Sequence, residues 1–78
     1  MVQAYVLIQA EVGKSRDVVS TIRDLPGVVR ADPVMGSYEV VVLVEAPDTD
    51  DLARLVVSRI QLVPGITRTV TCTIANLS

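Results

Sequence analysis

Histidine, tryptophan and phenylalanine are absent from this chain of 78 residues, which has one cysteine and two tyrosines. Each shortage removes a class of function. Without histidine the commonest general base is missing. One thiol cannot close an internal disulfide, and there is no Cys-x-x-Cys pair of the kind a metallochaperone uses. The open face of the expected Tyr38 to Ala46 strand carries Glu39, Val41, Leu43 and Glu45 in place of the exposed aromatics of an RNA-recognition module, and two tyrosines without histidine or tryptophan do not furnish the substrate site of a small monooxygenase. Positive charge is also scarce. The net charge is −2 and no basic cluster offers phosphates a footprint, which argues against direct binding of nucleic acid. Apolar runs are short. Val40 to Val44, bounded by Glu39 and Glu45, falls far below the ~18–20 residues that cross a bilayer, so no membrane partner is expected. Met1-Val2-Gln3-Ala4 lacks the positive start of a secretory signal. Together with the lone thiol, this points to a reducing cytoplasm.

What the chain does have is an apolar surplus: half its residues are hydrophobic. A domain this small leaves much of its surface exposed. The surplus therefore points to a protein partner, most simply a second copy. No linker or low-complexity stretch interrupts the sequence, so residues 1–78 read as one domain.

A phrase occurs twice. Leu25-Pro26-Gly27-Val28-Val29-Arg30 returns as Val63-Pro64-Gly65-Ile66-Thr67-Arg68, with Ile22 ahead of the first copy where Ile60 precedes the second. Proline cannot continue a helix, and glycine can adopt the left-handed turn that ends one. Each copy thus marks a helix end leading into a strand, and two copies predict β-α-β-β-α-β. The first strand is Val2 to Ala10, with Val2, Ala4, Val6, Ile8 and Ala10 on one face and Gln3, Tyr5, Leu7 and Gln9 on the other. A helix follows from Ser15, a candidate N-cap, to about Leu25, with Val18, Val19, Ile22 and Leu25 on one side. Val28 to Met35 is the second strand, placed at a sheet edge by Pro33. Gly36-Ser37 turns into the third strand, Tyr38 to Ala46, apolar on both faces and hence central. Pro47 to Asp51 starts a second helix with the stripe Leu52, Leu55, Val56, Ile60 and Val63. The fourth strand, Ile66 to Ala75, alternates. Its parity assigns Val70, Cys72 and Ile74 to the helix side, and Thr67, Thr69, Thr71 and Thr73 to the open side.

Two helices cover one face of a four-stranded antiparallel sheet. The other face would expose Tyr5, Leu7, Val41, Leu43 and the methyl of Thr69, a large apolar patch for a monomer. A homodimer stacked sheet to sheet is the expectation. Candidate chemistry is sparse. Cys72 reads as a small buried apolar residue rather than a nucleophile. Asp48, Asp50 and Asp51 read as helix-capping carboxylates rather than metal ligands, and neither a metal nor a cofactor is expected. Gly13-Lys14-Ser15-Arg16 reads as a solvated turn. Gly36-Ser37-Tyr38-Glu39 stays open between an ordinary hairpin and a small-molecule pocket in which backbone amides and the carboxylate hold a polar head group.

In their order and spacing these features resemble the effector-binding (RAM) domain of the Lrp/AsnC regulators. The features are the Gly36-Ser37-Tyr38-Glu39 hairpin, Asp48 opening the second helix, Val63-Pro64-Gly65-Ile66 closing it, and Thr71 in the last strand. The resemblance spans essentially the whole chain. It implies a ferredoxin-like α+β fold, dimers formed through the sheets and often assembled into rings, and an amino acid or related effector held between subunits. Carried over by position, the ligand residues are Gly36, Ser37, Tyr38, Glu39 and Thr71. The chain departs from the family at Glu39, where aspartate is usual. It also shows no helix-turn-helix, so it is expected not to bind DNA alone and instead to sense an effector independently or to pair with a full-length relative. An ACT-type regulatory domain, or an oligomerisation module without ligand, is the alternative. No enzymatic activity is expected.

Overall fold

The computed structural model describes residues 1–75 and 77; Asn76 and Ser78, at the end of the expected domain, lie outside the described residues. The element order is β1 (Val2–Ala10), α1 (Ser15–Arg23), β2 (Val28–Pro33), β3 (Val40–Ala46), α2 (Thr49–Ser58), a 3-10 turn (Ile60–Leu62) and β4 (Ile66–Thr73). The strands form one four-stranded sheet in the order β2-β3-β1-β4, and every neighbouring pair is antiparallel. This is the expected ferredoxin-like β-α-β-β-α-β arrangement, with β3 central and the Pro33 strand at an edge. Val18, Val19 and Ile22 of α1 and Leu52, Val56 and Ile60 of α2 and its extension pack on Ala4, Val6, Ile8, Val40, Val42 and Val44 to make the core.

Helix ends differ from expectation in small, explicable ways. Ser15 is not the N-cap of α1. Lys14 occupies that place with no side-chain cap bond, because the Lys14 amide closes a turn onto the Glu11 carbonyl at 2.9 Å and the helix starts one residue early. The helix stops at Arg23 rather than Leu25. There the Asp24 and Leu25 amides bond three residues back, to Thr21 and Ile22, tightening the chain ahead of Pro26. In α2 the cap is as expected: Asp48 accepts from the Asp51 amide at 2.8 Å. The helix runs only to Ser58, and Ile60 is buried from the 3-10 turn. β2 and β4 end at Pro33 and Thr73, short of the expected Met35 and Ala75, and β3 begins at Val40 instead of Tyr38.

The largest correction concerns the faces of β4. Tyr5 pairs with Cys72 and Leu7 with Val70, whereas Ala4, Val6 and Ile8 pair with Thr73, Thr71 and Thr69. Opposed residues in an antiparallel pair share a face. Thr69, Thr71 and Thr73 therefore stand on the helix side, and Val70 and Cys72 on the open side, the reverse of the expected parity. The cause is a one-residue bulge. Ile66 is opposite Ala10 and Arg68 opposite Gln9, leaving Thr67 over, and an extra residue inverts all alternation beyond it. β2 has the same device, with Val29 left over between the Val28–Val44 and Arg30–Leu43 pairs. The two bulges fall at equivalent places in the repeated phrase.

Candidate functional site

The β2–β3 connection carries four of the five expected ligand residues. Its closing bond runs from the Val34 amide to the Glu39 carbonyl at 2.8 Å. The loop is thus Met35 to Tyr38, longer than the Gly36-Ser37 turn expected. Gly36 has φ +143°, and no atom lies within 4 Å of where a Cβ would stand, so glycine here serves the backbone path and not a close contact. Gly36 and Ser37 are exposed, while Tyr38 and Glu39 are half-buried.

Three hydrogen bonds tie this loop to the end of β1. The Glu39 amide donates to the Ile8 carbonyl at 2.9 Å, Gln9 Nε2 donates to the Ser37 carbonyl at 3.0 Å, and Glu39 Oε2 accepts from the Ala10 amide at 3.0 Å. The last has a clear structural logic. Ala10 turns its amide towards β3, but β3 begins only at Val40, opposite Ile8, so no strand carbonyl is there to receive it. The Glu39 carboxylate stands in for that carbonyl. One oxygen of Glu39 is thus committed internally, and among the described residues no hydrogen bond engages the other. The sequence leaves Glu39 open between an ordinary hairpin and a ligand-holding carboxylate, and no local pattern announces its bond to Ala10.

Thr71 does not join this group. It pairs with Val6 on β4, across β1 from the hairpin, and lines a groove of ≈ 260 Å³ with Thr73, Leu52, Ala53, Val56 and Val57 of α2. Thr69 leaves the expected interface group for the same reason: it stands on the helix side, where its Oγ1 accepts from Gln61 Nε2 at 3.1 Å. The remaining interface candidates do come together. Tyr5, Val41 and Leu43, with Arg30 and Asp32, line a shallow depression of ≈ 250 Å³ on the open face, and Leu7 lies beside Val41 and Val70. Val70 and Cys72 extend this patch, and parity that ignored the bulge missed both. Cys72 is exposed, not buried as expected. Around the apolar centre sit polar pairs: Arg30 Nε donates to Asp32 Oδ2 at 2.6 Å and Gln3 Nε2 to Glu45 Oε2 at 3.2 Å.

Larger grooves lie elsewhere. One of ≈ 600 Å³ runs along α1 beside Pro33, between Ser15, Arg16, Arg23 and Asp24. Another, of ≈ 510 Å³, lies between the Pro26-Gly27 turn and α2. Among the described residues there is no cluster of His, Cys, Asp or Glu able to hold a metal ion, and no helix is long and apolar enough to cross a membrane.

Comparison with known proteins gives a consistent answer. The crystal structure of FFRP-DM1 superposes with a TM-score of 0.92 at 32% identity, covering 96% of this chain and 100% of that one. TTHA0845 from Thermus thermophilus gives 0.93 at 29% identity over 100% of this chain and 98% of the other. AsnC of E. coli shares the fold, with a TM-score of 0.89 at 20% identity; this chain covers 51% of it. The regulator NMB0573 from Neisseria meningitidis, solved as a complex with L-Met, also shares the fold, at 13% identity with 97% of this chain and 51% of that one covered (TM-score 0.85). No curated protein matches. The family description "Lrp/AsnC ligand binding domain" matches residues 3–76, and the chain belongs to that family.

Proposed function

We infer that the protein senses an amino acid or related small metabolite at a boundary between subunits, has no enzymatic activity of its own, and conveys the signal through its assembly, modulating transcription through a DNA-binding partner such as a full-length relative. The observation that carries this reading is the hairpin itself. Of the four hairpin positions that the family resemblance marks for ligand, Ser37 and Glu39 are bonded to Gln9, Ile8 and Ala10 of β1, so a ligand seated on the loop would be felt along the central strands. The fifth, Thr71, lies across β1 from the loop. A ligand touching both sets would have to lie between chains, which favours a shared site.

The open face supports a stacked homodimer. Its apolar centre of Tyr5, Leu7, Val41, Leu43 and Val70, rimmed by Arg30–Asp32 and Gln3–Glu45, has the centre-and-rim composition of protein interfaces. Tyr5 is 45% exposed in the single chain, a large ring left half uncovered.

The test is a thermal shift with each of the twenty amino acids, followed by mass measurement with and without those that respond. A ligand at a hundredfold excess over its Kd adds about 2.7 kcal/mol, which in a domain of this size raises Tm by roughly 10–20 °C. At least one amino acid is expected to do so, and Gly36→Val is expected to erase the response while leaving the dimer mass unchanged. Silence across the panel would leave an assembly module without effector.

A further inference from the structure

At the end of β1 the regular ladder stops on both flanks at once. β3 begins only at Val40, opposite Ile8. On the other flank the β4 bulge leaves Thr67 over, between the Ala10–Ile66 and Gln9–Arg68 pairs. Side chains take over the bonding that the ladder gives up. On the β3 side, Gln9 Nε2 donates to the Ser37 carbonyl and the Ala10 amide donates to Glu39 Oε2, both at 3.0 Å. On the β4 side, Thr67 Oγ1 donates to the Gln9 carbonyl at 3.2 Å. The Glu11 amide then donates to the Gly65 carbonyl at 2.7 Å. Three consecutive residues, Gln9 to Glu11, are thus held by the hairpin on one flank and by the second Pro-Gly turn and its bulge on the other.

From the second turn the contacts run on into a helix. The Glu11 carbonyl accepts from the Lys14 amide at 2.9 Å. Gly65 backs onto α1, with the place of its missing Cβ 3.1 Å from Lys14 Cβ and 3.3 Å from Val18 Cγ2. Among the described residues the first turn makes no such bond to the hairpin. Its clasp, from the Glu45 amide to the Gly27 carbonyl, lies at the opposite end of the sheet, where Glu45 pairs with Gln3. The repeat supplies two like clasps, and the second shares a segment with the hairpin. A ladder bond is broken by moving backbone. A side-chain acceptor can be drawn off by a competitor while the strand stays in place.

We propose that Gln9-Ala10-Glu11 is a relay, with Gln9 as the positioning residue of the hairpin, and that it transmits ligand occupancy at Gly36 to Glu39 to the Gly65 turn, the β4 bulge and the start of α1. This rests on the reading that the hairpin holds the effector. The carboxylate that receives the Ala10 amide is the one offered to the effector's polar head group. A ligand that draws Glu39 away orphans the Ala10 amide. A ligand that engages the other oxygen alone fixes the carboxylate and tightens the bond. Either way the freedom of residues 9–11 changes, and the Glu11 bond to Gly65 registers it. The coupling is reciprocal, so a change at the Gly65 turn alters the hairpin's readiness for ligand. The signal reaches a helix and a strand within one chain and needs no second copy to do so.

Amide hydrogen exchange on the full chain, read residue by residue by NMR, tests the relay from both flanks without ligand. Thr67→Val removes the hydroxyl that bonds the Gln9 carbonyl and keeps the branched shape. It is expected to speed exchange at the Ala10 and Glu39 amides at least about threefold relative to Val6 and Val42, which are fully buried and report global opening. Thr67→Ser, which keeps the hydroxyl, should restore most of the wild-type rate. From the other flank, Glu39→Ala is expected to speed exchange at the Glu11 amide by a similar factor, and Glu39→Gln, which keeps a carbonyl acceptor, to recover most of it. Thr73→Val, on the same strand but outside the relay, should leave all three amides unchanged. A merely structural role would raise Val6 and Val42 in step with the rest. Uniform acceleration, or changes confined to the flank that was altered, overturns the proposal. An amino acid that raises Tm while the two flanks stay uncoupled keeps the hairpin as a site and dismisses the relay. Coupled flanks with a silent amino-acid panel keep the mechanical link and dismiss the effector.

Discussion

Gly27→Ala measures what the first Pro-Gly turn is for. Gly27 has φ +89°, a region L-residues enter at a cost of about 1–2 kcal/mol. A Cβ there would also sit 2.8 Å from Leu55 Cδ2 and 3.1 Å from the Glu45 carbonyl oxygen. The loop cannot swing clear, because the Gly27 carbonyl accepts from the Glu45 amide at 2.8 Å and moving away would break that bond. Overpacking of this kind adds about 1–3 kcal/mol. The sum is roughly 2–5 kcal/mol, which in a domain of this size lowers Tm by roughly 8–40 °C. Gly13→Ala is the control. Its φ is +81°, but nothing lies within 4 Å of the added atom, so it reports backbone strain alone, about 1–2 kcal/mol. Gly65→Ala falls between them. Its Cβ would meet Lys14 Cβ at 3.1 Å and Val18 Cγ2 at 3.3 Å, side-chain atoms that can yield a little. Thermal unfolding by circular dichroism, at one protein concentration because assembly shifts Tm, gives the order Gly13, Gly65, Gly27 from least to most damaging. Equal losses at Gly13 and Gly27 would refute the contact argument and leave φ as the whole story.

Other perturbations test the remaining parts. Glu39→Ala orphans the half-buried Ala10 amide and is expected to cost about 1–3 kcal/mol in urea unfolding, whereas Glu39→Gln keeps a carbonyl acceptor and should cost less than half of that; equal costs would sever the link between Glu39 and β1. Asp48→Ala removes a real cap and should cost about 1 kcal/mol, while Ser15→Ala, which touches no cap bond, should stay within about 0.5 kcal/mol. Cys72 lies on the open face, so stacking should slow its alkylation at high protein concentration and dilution should restore it; a rate independent of concentration argues against the stacked dimer.

The fold was legible because its signals are periodic and repeated. The alternation of β1 and the stripe Val18, Val19 and Ile22 required no tertiary information, and the doubled Pro-Gly phrase supplied the topology. The faces of β4 were not legible, because a bulge leaves no mark in hydrophobic alternation. Thr67 looks like any other threonine of the stripe, and only pairing with Gln9 and Ala10 shows it to be the extra residue. Cys72 and Thr69 were misassigned together by that one slip. The hairpin was recognisable as a motif, but its attachment was not: Glu39 meets Ala10 across 29 positions of sequence, and Gln9 meets Ser37 across 28.

The repeat proves richer than punctuation. In both copies the glycine carries a positive φ, its carbonyl receives an amide from the end of a central strand (Glu45 for Gly27, Glu11 for Gly65), and the bulge follows two residues later. The clasps are reciprocal. The turn after α1 leans on Leu55 of α2, and the turn after α2 leans on Val18 of α1. Up to the bulge the halves are therefore the same device. They diverge after it. In the first copy Ala31 is buried beneath α1, Arg23 grips its carbonyl at 2.8 and 3.0 Å, and Pro33 ends the strand: an edge closed to pairing. In the second, Thr69, Val70 and Thr71 occupy the equivalent stretch, and among the described residues nothing bonds the outward backbone of the two threonines.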